Sequence, residues 1–391
     1  MIAEHIFRAY DIRGMYGVDL TEETASKIGK AFSTYLDGEE ELIVGRDVRL
    51  SGKALEDALI KGLISGGCDV EEIGVVTTPM LYFSTAHYRK DGGIMVSASH
   101  NPPEWNGFKI LSKDGFIGEG KGMEALKKIA MAGRFKYSTP GRLEKNTRIL
   151  IDYENYVLQR THLERRLTGI FDPGNGSCSL LIPKLFEDAG IGVVALNSEP
   201  DGNFPAHPPE PTRDVLDALA KVVLEEEADF GVAFDGDGDR CIFVDERGRI
   251  VPEDSVLIIL AEQFLKEHKG APIVYEVSCS MSVEEAVRSR GGKPVLSRVG
   301  HTYINEKMLQ EKAVFGGESS GHYYFADLYG FDDAVFASLK LAESLSKRDE
   351  RFSEIVDSMP VYPMRSENFD CPDEKKFHVV EDLTQELKEM G

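Results

Sequence analysis

Apolar and polar positions follow a plan that occurs three times along the chain. In each copy an apolar strand, a polar or Gly/Ser turn, a helix-period run, a glycine and a second apolar strand follow one another. The copies span residues 41–76, 169–196 and 272–296, with the helix-period runs at 54–60, 180–186 and 282–287. This order predicts three α/β domains of one design, each a sheet with crossover helices. Such units also occur in unrelated α/β proteins.

Interruptions of this plan predict the domain boundaries. A chain of 391 residues is too long for one core. The pattern breaks near Thr147, at 246–248 and at 360–363. The predicted domains are therefore residues 1–146, 147–247 and 248–360, followed by a short C-terminal segment at 361–391.

The charge of the chain restricts its partners. With 45 basic and 67 acidic residues the formal net charge is −22, which argues against nucleic acid or an anionic membrane as a partner. No apolar run has the length of a membrane span and the N-terminus has no signal-sequence pattern, so we predict a cytoplasmic protein. A phosphate ligand would need basic residues close to it.

Three aspartates alternate with glycine in the segment Asp-Gly-Asp-Gly-Asp-Arg, residues 235–240, which we call the acidic loop. Strand-like apolar runs flank it. Carboxylates so closely spaced at a sheet edge need a cation, and Gly236 and Gly238 let the backbone turn so that the side chains converge. Oxygen-only ligation favours Mg²⁺ or Ca²⁺. The predicted ligands are Asp235, Asp237 and Asp239, and Arg240 beside them fits a phosphate.

Two other interpretations of the acidic loop remain. Its aspartates and Glu246 occupy positions 1, 3, 5 and 12 of an EF-hand, but Arg240 stands at position 6, where the sharp turn needs glycine, and the flanks are strand-like rather than helical. The other alternative is an ordinary acidic surface turn.

A second polar segment follows an apolar strand at residues 93–96. It reads Ser-Ala-Ser-His-Asn-Pro-Pro from Ser97, and Asn-Gly-Phe-Lys follows at 106–109. Turn residues at a strand end place Ser99 where α/β proteins form their sites. The segment lacks the Gly-x-Ser-x-Gly elbow of α/β-hydrolases. An Asn-Pro turn with an incidental serine is the alternative.

These two segments, together with Phe-Arg-Ala-Tyr-Asp-Ile-Arg-Gly at 7–14 and Gly-Gly-Glu-Ser-Ser-Gly-His at 316–322, resemble the α-D-phosphohexomutase family. The resemblance is strongest to its phosphomannomutase/phosphoglucomutase branch and spans residues 7 to about 340. It implies three similar α/β domains around a central cleft, with only the start of a fourth domain at 361–391.

The resemblance implies roles for the polar residues. Ser99 would carry the phosphate and join the three aspartates as a ligand of Mg²⁺. Without a divalent cation these carboxylates would repel a phosphoserine. The residues implied around the phosphate are Arg13, His100, Lys109 and Arg240. Lys109 is our first candidate for proton transfer, with Arg13 and His100 as reserves.

The segment at 316–322 resembles the family's sugar-binding loop. Its sequence matches the mannose/glucose branch, and Glu318 would accept hydrogen bonds from two neighbouring sugar hydroxyls. The implied substrate-binding residues are Tyr10, His301, Glu318, Ser320 and His322.

The chain departs from the family pattern in two places. Glu276-Val-Ser278 stands where the branch has a lysine after the strand, so that one phosphate or sugar contact is absent or replaced by Ser278. The fourth-domain phosphate loop, of the type Arg-x-Ser-x-Thr-Glu-Pro, has no counterpart, and Met-Arg-Ser-Glu-Asn at 364–368 is no substitute.

The sequence thus predicts an enzyme that interconverts hexose 1-phosphate and hexose 6-phosphate through a phosphoserine. A hexose 1,6-bisphosphate would be the intermediate and activator. The alternatives are a catalytically weak sugar-phosphate-binding protein and a Mg²⁺-dependent sugar phosphatase.

Overall fold

A computed structural model describes residues 2–113, 115–118, 120, 122–363, 371 and 375–390. The described residues up to Pro360 form one compact unit. Those from Val361 onwards form a second, which contains the helix Lys376–Met390. Residues 364–368, discussed above for the missing phosphate loop, lie outside the described residues.

The strands of the larger unit form three mixed sheets in the described part of the chain. The first contains β1 (Ile12–Met15), β2 (Glu41–Arg46), β3 (Asp69–Val75), β4 (Gly92–Val96), β5 (Trp105–Ser112), β6 (Gly115–Phe116) and β7 (Leu143–Lys145). The second contains β8 (Thr168–Asp172), β9 (Gly192–Ala195), β10 (Phe230–Phe234) and β11 (Cys241–Asp245). The third contains β12 (Pro272–Glu276), β13 (Lys293–Ser297), β14 (Phe315–Gly317), β15 (Tyr323–Phe325) and β16 (Phe331–Asp332).

Helices accompany each sheet. Those of the first domain are α1 (Glu22–Leu36), α2 (Gly52–Ser65), α3 (Thr78–His87) and α4 (Met123–Ala132). The second domain has α5 (Ile149–Leu158), α6 (Lys184–Asp188) and α7 (Arg213–Glu225). The third has α8 (Glu253–Glu267), α9 (Met281–Ser289), α10 (His301–Glu311), α11 (Ala334–Ser346) and α12 (Phe352–Asp357), and α13 is Lys376–Met390.

The predicted repeat is confirmed by the sheet topology. In each domain the first and second strands of the repeat are parallel neighbours: β2 and β3, β8 and β9, β12 and β13. A third parallel strand lies on the other side of the first strand: β4, β10 or β14. An antiparallel strand follows it in each case: β5, β11 or β15.

This topology places the three polar segments at equivalent positions. The connections between the third parallel strand and its antiparallel partner are residues 97–104, 235–240 and 318–322. Each connection therefore begins at the carboxyl end of a central strand, where open α/β sheets bind their ligands.

The helix of the second repeat is shorter than its pattern predicts. Residues Ser177–Leu180 form a 3₁₀ turn, and the α-helix begins only at Lys184. Pro183 explains the difference, because a proline has no N–H to donate and disfavours the helical conformation of the residue before it. The prediction of one continuous helix at 180–186 was therefore wrong.

The hydrophobic core runs through all three domains. One cluster of buried side chains contains Phe83 from α3, Phe171 from β8 and Phe325 from β15. Phe83 also packs edge to face against Tyr153 of α5, with ring centroids 5.6 Å apart. Among the described residues, no helix combines the length and apolar character that a membrane crossing requires.

A buried hydrogen bond connects the second and third domains and predicts a stability effect. The Tyr153 hydroxyl donates to Asp333 Oδ2 at 2.7 Å, and Asp333 Oδ1 accepts the backbone N–H of Phe336 at the start of α11. Tyr153→Phe leaves a buried carboxylate oxygen without this donor, so we expect a loss of about 1–3 kcal/mol of unfolding free energy. Urea unfolding measures it.

Tyr156 on the same helix offers a matched control. Its hydroxyl donates to the Asp327 carbonyl at 2.8 Å from a half-buried position, where water can replace the lost donor. Tyr156→Phe is therefore expected to lose less than about 1 kcal/mol. If both variants lose the same unfolding free energy, burial does not make the Tyr153–Asp333 hydrogen bond more stabilising than the half-buried one.

Candidate active site

The acidic loop forms a buried cluster of carboxylates at the carboxyl end of β10. Asp235, Asp237 and Asp239 are 0%, 0% and 5% exposed, which excludes a surface turn. The strands β10 and β11 on either side exclude an EF-hand. One oxygen from each aspartate lies within 4.8 Å of the others. Burial and the charges of the other two aspartates raise the pKa of Asp235, because both disfavour its ionised form.

The two glycines of the loop have different roles. Gly238 has a φ of +77°, which a tight turn requires and which glycine adopts without strain. Gly236 also lies in the turn, but its φ is outside this left-handed region, so the turn itself does not require glycine at this position. A Cβ at Gly236 would lie 2.7 Å from the carbonyl oxygen of Ser99. Glycine is needed there because the loops of the first and second domains touch.

The oxygens of the cluster fit a metal ion. Asp237 Oδ2 accepts from the hydroxyls of Thr78 and Ser97, at 2.5 and 3.1 Å. Asp237 Oδ1 is buried and has no hydrogen-bond partner among the described residues, and Asp239 Oδ1 has only the His322 imidazole, whose Nε2 lies 3.4 Å away. Buried acceptors without donors are costly unless a cation binds them. The carboxylate set suits a hard divalent cation.

Ser99 lies directly beside the cluster. Its hydroxyl donates to Asp235 Oδ2 at 2.9 Å, and its backbone N–H donates to the Ser97 hydroxyl, also at 2.9 Å. The backbone of Ser99 has a φ of +50°, a region that residues with a Cβ rarely adopt. Such strain at a loop tip is typical of functional sites, where the surrounding structure holds it in place.

Lys109 of β5 binds two of the aspartates. Its Nζ donates to Asp237 Oδ2 at 2.7 Å and to Asp239 Oδ2 at 2.5 Å. Although burial opposes the charge, these two carboxylates hold the pKa of Lys109 well above its usual value. Lys109 is therefore a cation in this arrangement, and it can accept a proton only after it has first released one.

Two arginines bind groups next to Ser99. Arg13 of β1 donates through Nη1 to Asn101 Oδ1 at 2.6 Å and is paired through Nε with Asp11. Arg240 donates through Nε to Asp235 Oδ2 at 3.3 Å. Its Nη2 is buried and has no hydrogen-bond partner among the described residues. That donor group is available to an oxyanion.

His100 completes the group around Ser99. Its Nδ1 lies 3.2 Å from Ser99 Oγ. Burial and then the charges of Arg240 and Arg13 lower the pKa of His100 to about 4, so the imidazole is neutral near pH 7. The cations that surround it favour an anion at this place.

Residues 318–322, which we call the sugar loop after the family segment that they resemble, contact the acidic loop through His322. His322 Nε2 lies 3.4 Å from Asp239 Oδ1, and its Nδ1 is 2.9 Å from the Ser320 hydroxyl. Glu318 accepts from the hydroxyls of Tyr324 and Ser320, at 2.5 and 3.3 Å. Burial opposes the imidazolium, but Asp239, Glu318 and Asp332 raise the pKa of His322 to about 9.

Tyr10 and His301 form a second group between the first and third domains. Their rings meet edge to face, with centroids 5.7 Å apart, and the Tyr10 hydroxyl donates to the Val299 carbonyl at 3.4 Å. His301 Nε2 is buried and has no hydrogen-bond partner among the described residues. Burial and then the positive charges of Lys109 and His322 lower the pKa of His301 to about 3.

The structure thus brings the sequence-predicted residues into one region, but several residues that hold them were missed. Asp11 and Asn101 bind Arg13, Tyr324 binds Glu318, and Asp332 lies near His322. Asp11 and Asn101 lie within motifs already recognised and Asp332 ends β16, which was the available signal, whereas Tyr324 in the middle of β15 offered none.

Glu276 is another residue whose role the sequence did not reveal. It is 1% exposed and stands where the family pattern suggested a lysine. Its Oε1 accepts from the Ser319 hydroxyl at 2.6 Å, and its Oε2 accepts from the Ser278 backbone N–H at 2.5 Å. Glu276 therefore ties the sugar loop to the end of β12.

Comparisons with known proteins identify the three domains. The family models described as phosphoglucomutase/phosphomannomutase α/β/α domains I, II and III match residues 4–136, 152–248 and 252–362. A phosphoglucomutase/phosphomannomutase family protein from Burkholderia thailandensis has a similar solved structure. Its TM-score is 0.87 at 35% identity, over 92% of this chain and 81% of that one.

Relatives of known name match nearly the whole chain. The phosphomannomutase/phosphoglucomutase of Pseudomonas putida is 37% identical over 98% of this chain and 84% of its own length. The phosphoglucomutase/phosphomannomutase of Thermococcus kodakarensis is 37% identical over 91% and 80%. A probable phosphoglucosamine mutase of Methanothermobacter thermautotrophicus is 34% identical over 98% and 84%. The chain belongs to the phosphoglucomutase/phosphomannomutase family, which confirms the predicted family and the predicted enzyme class, an intramolecular phosphotransferase.

Proposed function

We propose that this chain interconverts hexose 1-phosphate and hexose 6-phosphate, with mannose, glucose or both as the sugar, and that Ser99 carries the transferred phosphate. The observation that supports this most directly is the contact of Ser99 Oγ with Asp235 at 2.9 Å. A hydroxyl in this position lies beside a candidate cation site, with Arg240 on the same Asp235 oxygen and Arg13 bound to Asn101 of the same loop. Phosphoryl transfer needs mainly such positioning and charge neutralisation.

The proposed reaction has two transfers. First, the C6 hydroxyl of hexose 1-phosphate attacks the phosphorus of phosphorylated Ser99, the bond from phosphorus to Ser99 Oγ breaks, and the hydroxyl proton passes to Oγ. The product is hexose 1,6-bisphosphate, which must turn over in the site. Ser99 Oγ then attacks the C1 phosphate, the bond from phosphorus to O1 breaks, and O1 takes the proton. Hexose 6-phosphate leaves and Ser99 is again phosphorylated.

The side chains around Ser99 would have different roles in the phosphoryl transfer. Mg²⁺, bound by the three aspartates and the Ser99 phosphate, would neutralise the charge that builds up on the phosphoryl oxygens. Arg240, through its unpartnered Nη2, and Arg13 bind and orient the phosphate. Lys109 remains our first candidate for moving the proton, with Arg13 and His100 as reserves.

The third domain would bind the sugar. Glu318 has two carboxylate oxygens that can each accept a hydroxyl of the substrate, and Ser320 and His322 lie next to it. Tyr10 and His301 face the same region from the contact between the first and third domains. We propose that residues 1–146, 147–247 and 248–360 form the three domains that contribute the phosphoserine, the metal site and the sugar loop, respectively.

Product analysis tests the proposal. The chain is incubated with Mg²⁺, catalytic hexose 1,6-bisphosphate as activator, and mannose 1-phosphate, glucose 1-phosphate or glucosamine 1-phosphate, and ³¹P NMR follows the products. We expect the 6-phosphate isomer of at least one hexose. The Ser99→Ala variant, purified in the same way, controls for a contaminating mutase.

The other outcomes correspond to the alternative functions. Release of inorganic phosphate without isomer would indicate a phosphatase in which water attacks the phosphoserine. Binding of the sugar phosphate by calorimetry without any product would indicate a binding protein. Either result would contradict the proposed mutase reaction.

A further inference from the structure

The loop that carries Ser99 exposes a set of backbone acceptors to one side. Residues 97–104 connect β4 to β5 through two turns, which are closed by Asn101 N–H on the Ala98 carbonyl and by Trp105 N–H on the Pro102 carbonyl, both at 3.0 Å. Four backbone carbonyl oxygens point at one side chain, that of Arg49. They belong to Ser99, Asn101, Pro102 and Trp105. Buried carbonyls without donors would destabilise the loop.

The side chain of Arg49 donates to all four of these carbonyls, of which that of Pro102 also accepts the backbone N–H of Trp105 at 3.0 Å. Its Nη1 donates to the carbonyls of Pro102 and Trp105 at 2.6 and 3.0 Å. Its Nη2 donates to those of Ser99 and Asn101 at 2.8 and 2.5 Å.

The fifth N–H of the guanidinium is also used, because Nε donates to Asp47 Oδ2 at 3.0 Å. Asp47 in turn accepts the backbone N–H of Arg49 at 2.9 Å. Both side chains are fully buried. Since a guanidinium has five N–H donors, Arg49 has none left for a substrate.

The second domain covers Arg49 from the other side. The ring of Phe204 lies 5.2 Å from the guanidinium carbon. A Cβ at Gly202 would lie 2.8 Å from the Arg49 Cα. The guanidinium is therefore enclosed between the Ser99 loop and the second domain.

This arrangement fixes Ser99 relative to the acidic loop. The Ser99 carbonyl oxygen accepts from Arg49 and at the same time packs against Gly236, while the Ser99 hydroxyl reaches Asp235. We propose that Arg49 is a positioning residue for phosphoryl transfer: its guanidinium holds the Ser99 loop in the conformation that presents Oγ to the metal site. This inference rests on the proposed function of Ser99.

Arg49→Lys tests the proposal because it keeps the positive charge but removes the planar guanidinium with its five N–H donors. An ammonium has three donors at one point and cannot bind four carbonyls and the Asp47 carboxylate at the same time. We expect kcat to fall by about 100-fold or more, since a displacement of about 1 Å in a reacting group can have that effect. KM for the hexose phosphate is expected to change less than about threefold, because Arg49 does not contact substrate.

Arg46→Lys is the matched control. Arg46 lies three positions earlier, is only partly exposed, and pairs with Glu56 at 3.2 Å. Its side chain donates to Glu56 and to the Asp47 carbonyl, and among the described residues it has no hydrogen bond to residues 97–105. The kcat of the Arg46→Lys variant is expected to stay within about threefold of the parent value.

Hydrogen exchange provides a readout that does not depend on activity. In Arg49→Lys the faster exchange should be confined to the peptide spanning residues 97–105, with the sheets of all three domains unchanged. A merely structural role would raise exchange throughout the first domain.

If Arg49→Lys does not fold, Asp47→Asn replaces it. The amide oxygen of this variant can still accept the backbone N–H of Arg49, but the negative charge that orients Arg49 Nε is lost. A kcat lowered about tenfold is then expected.

The outcomes separate this inference from the proposed function. A parent chain without mutase turnover or Ser99 phosphate contradicts the proposed function. An active parent with a folded Arg49→Lys that keeps full kcat, or one in which only KM rises, overturns the positioning role. So does unchanged exchange of residues 97–105. A folded variant with low kcat, near-normal KM and a locally exchanging loop supports it.

Discussion

Replacing Ser99 by alanine is expected to lower kcat by at least about 10³-fold, because the enzyme then has no group to carry the phosphate between the two transfers. The fold should persist, since Ser99 lies in a connection between strands and Arg49 still binds the carbonyl at that position. The parent chain, incubated with a hexose 1,6-bisphosphate, should carry one phosphate on Ser99. Peptide mass spectrometry locates it.

Ser97 provides the comparison for this experiment. Its hydroxyl contacts Asp237 and accepts the N–H of Ser99, but no contact places it beside Asp235. Ser97→Ala should therefore still take up phosphate on Ser99, at a reduced rate. Phosphate found on Ser97, or Ser99→Ala with parental turnover, would show that the nucleophile has been misassigned.

The second large effect concerns the metal site. Asp237→Asn is expected to weaken Mg²⁺ binding by at least about 100-fold and to abolish turnover, because it removes one of three charged ligands. The amide oxygen can still accept from Thr78 and Ser97, so the loss of stability should stay within about 1–3 kcal/mol. Calorimetric titration with Mg²⁺ measures affinity, and thermal unfolding of the same sample confirms the fold.

Glu246→Gln is the control that separates two interpretations of the acidic loop. An EF-hand would use Glu246 as a ligand, but in the structure its carboxylate accepts from the N–H and hydroxyl of Ser353. We expect this variant to bind Mg²⁺ with parental affinity. Loss of binding in Glu246→Gln, or retained binding in Asp237→Asn, would contradict the assigned ligand set.

The parts of the site that the sequence predicted are those built from neighbouring residues. The acidic loop is recognisable because its three carboxylates and its glycines lie within six positions, between two strand-like runs. The same holds for Ser99 in its turn and for the sugar loop. The repeated pattern also predicted the sheets, because alternating strand and helix periods reflect which side chains are buried.

The contacts between domains could not be predicted from the amino-acid sequence. Lys109 and Asp237 are 128 positions apart, and His322 meets Asp239 across a domain boundary. Local periodicity records which face of an element is buried but carries no distance between elements. The charge state of Lys109 and His322 follows from these contacts, so that it too was decided only by the tertiary structure.

The sequence by itself therefore determined the family, the three α/β units and the residue types at the strand ends. The tertiary structure decided how these residues are held. Arg49 shows why: four of its five acceptors are backbone carbonyls, and every residue has one, so no side-chain pattern marks them. Glu276 likewise receives its role from Ser319, which lies 43 positions further along the chain and comes within hydrogen-bond distance only because β12 and β14 are neighbours in the sheet.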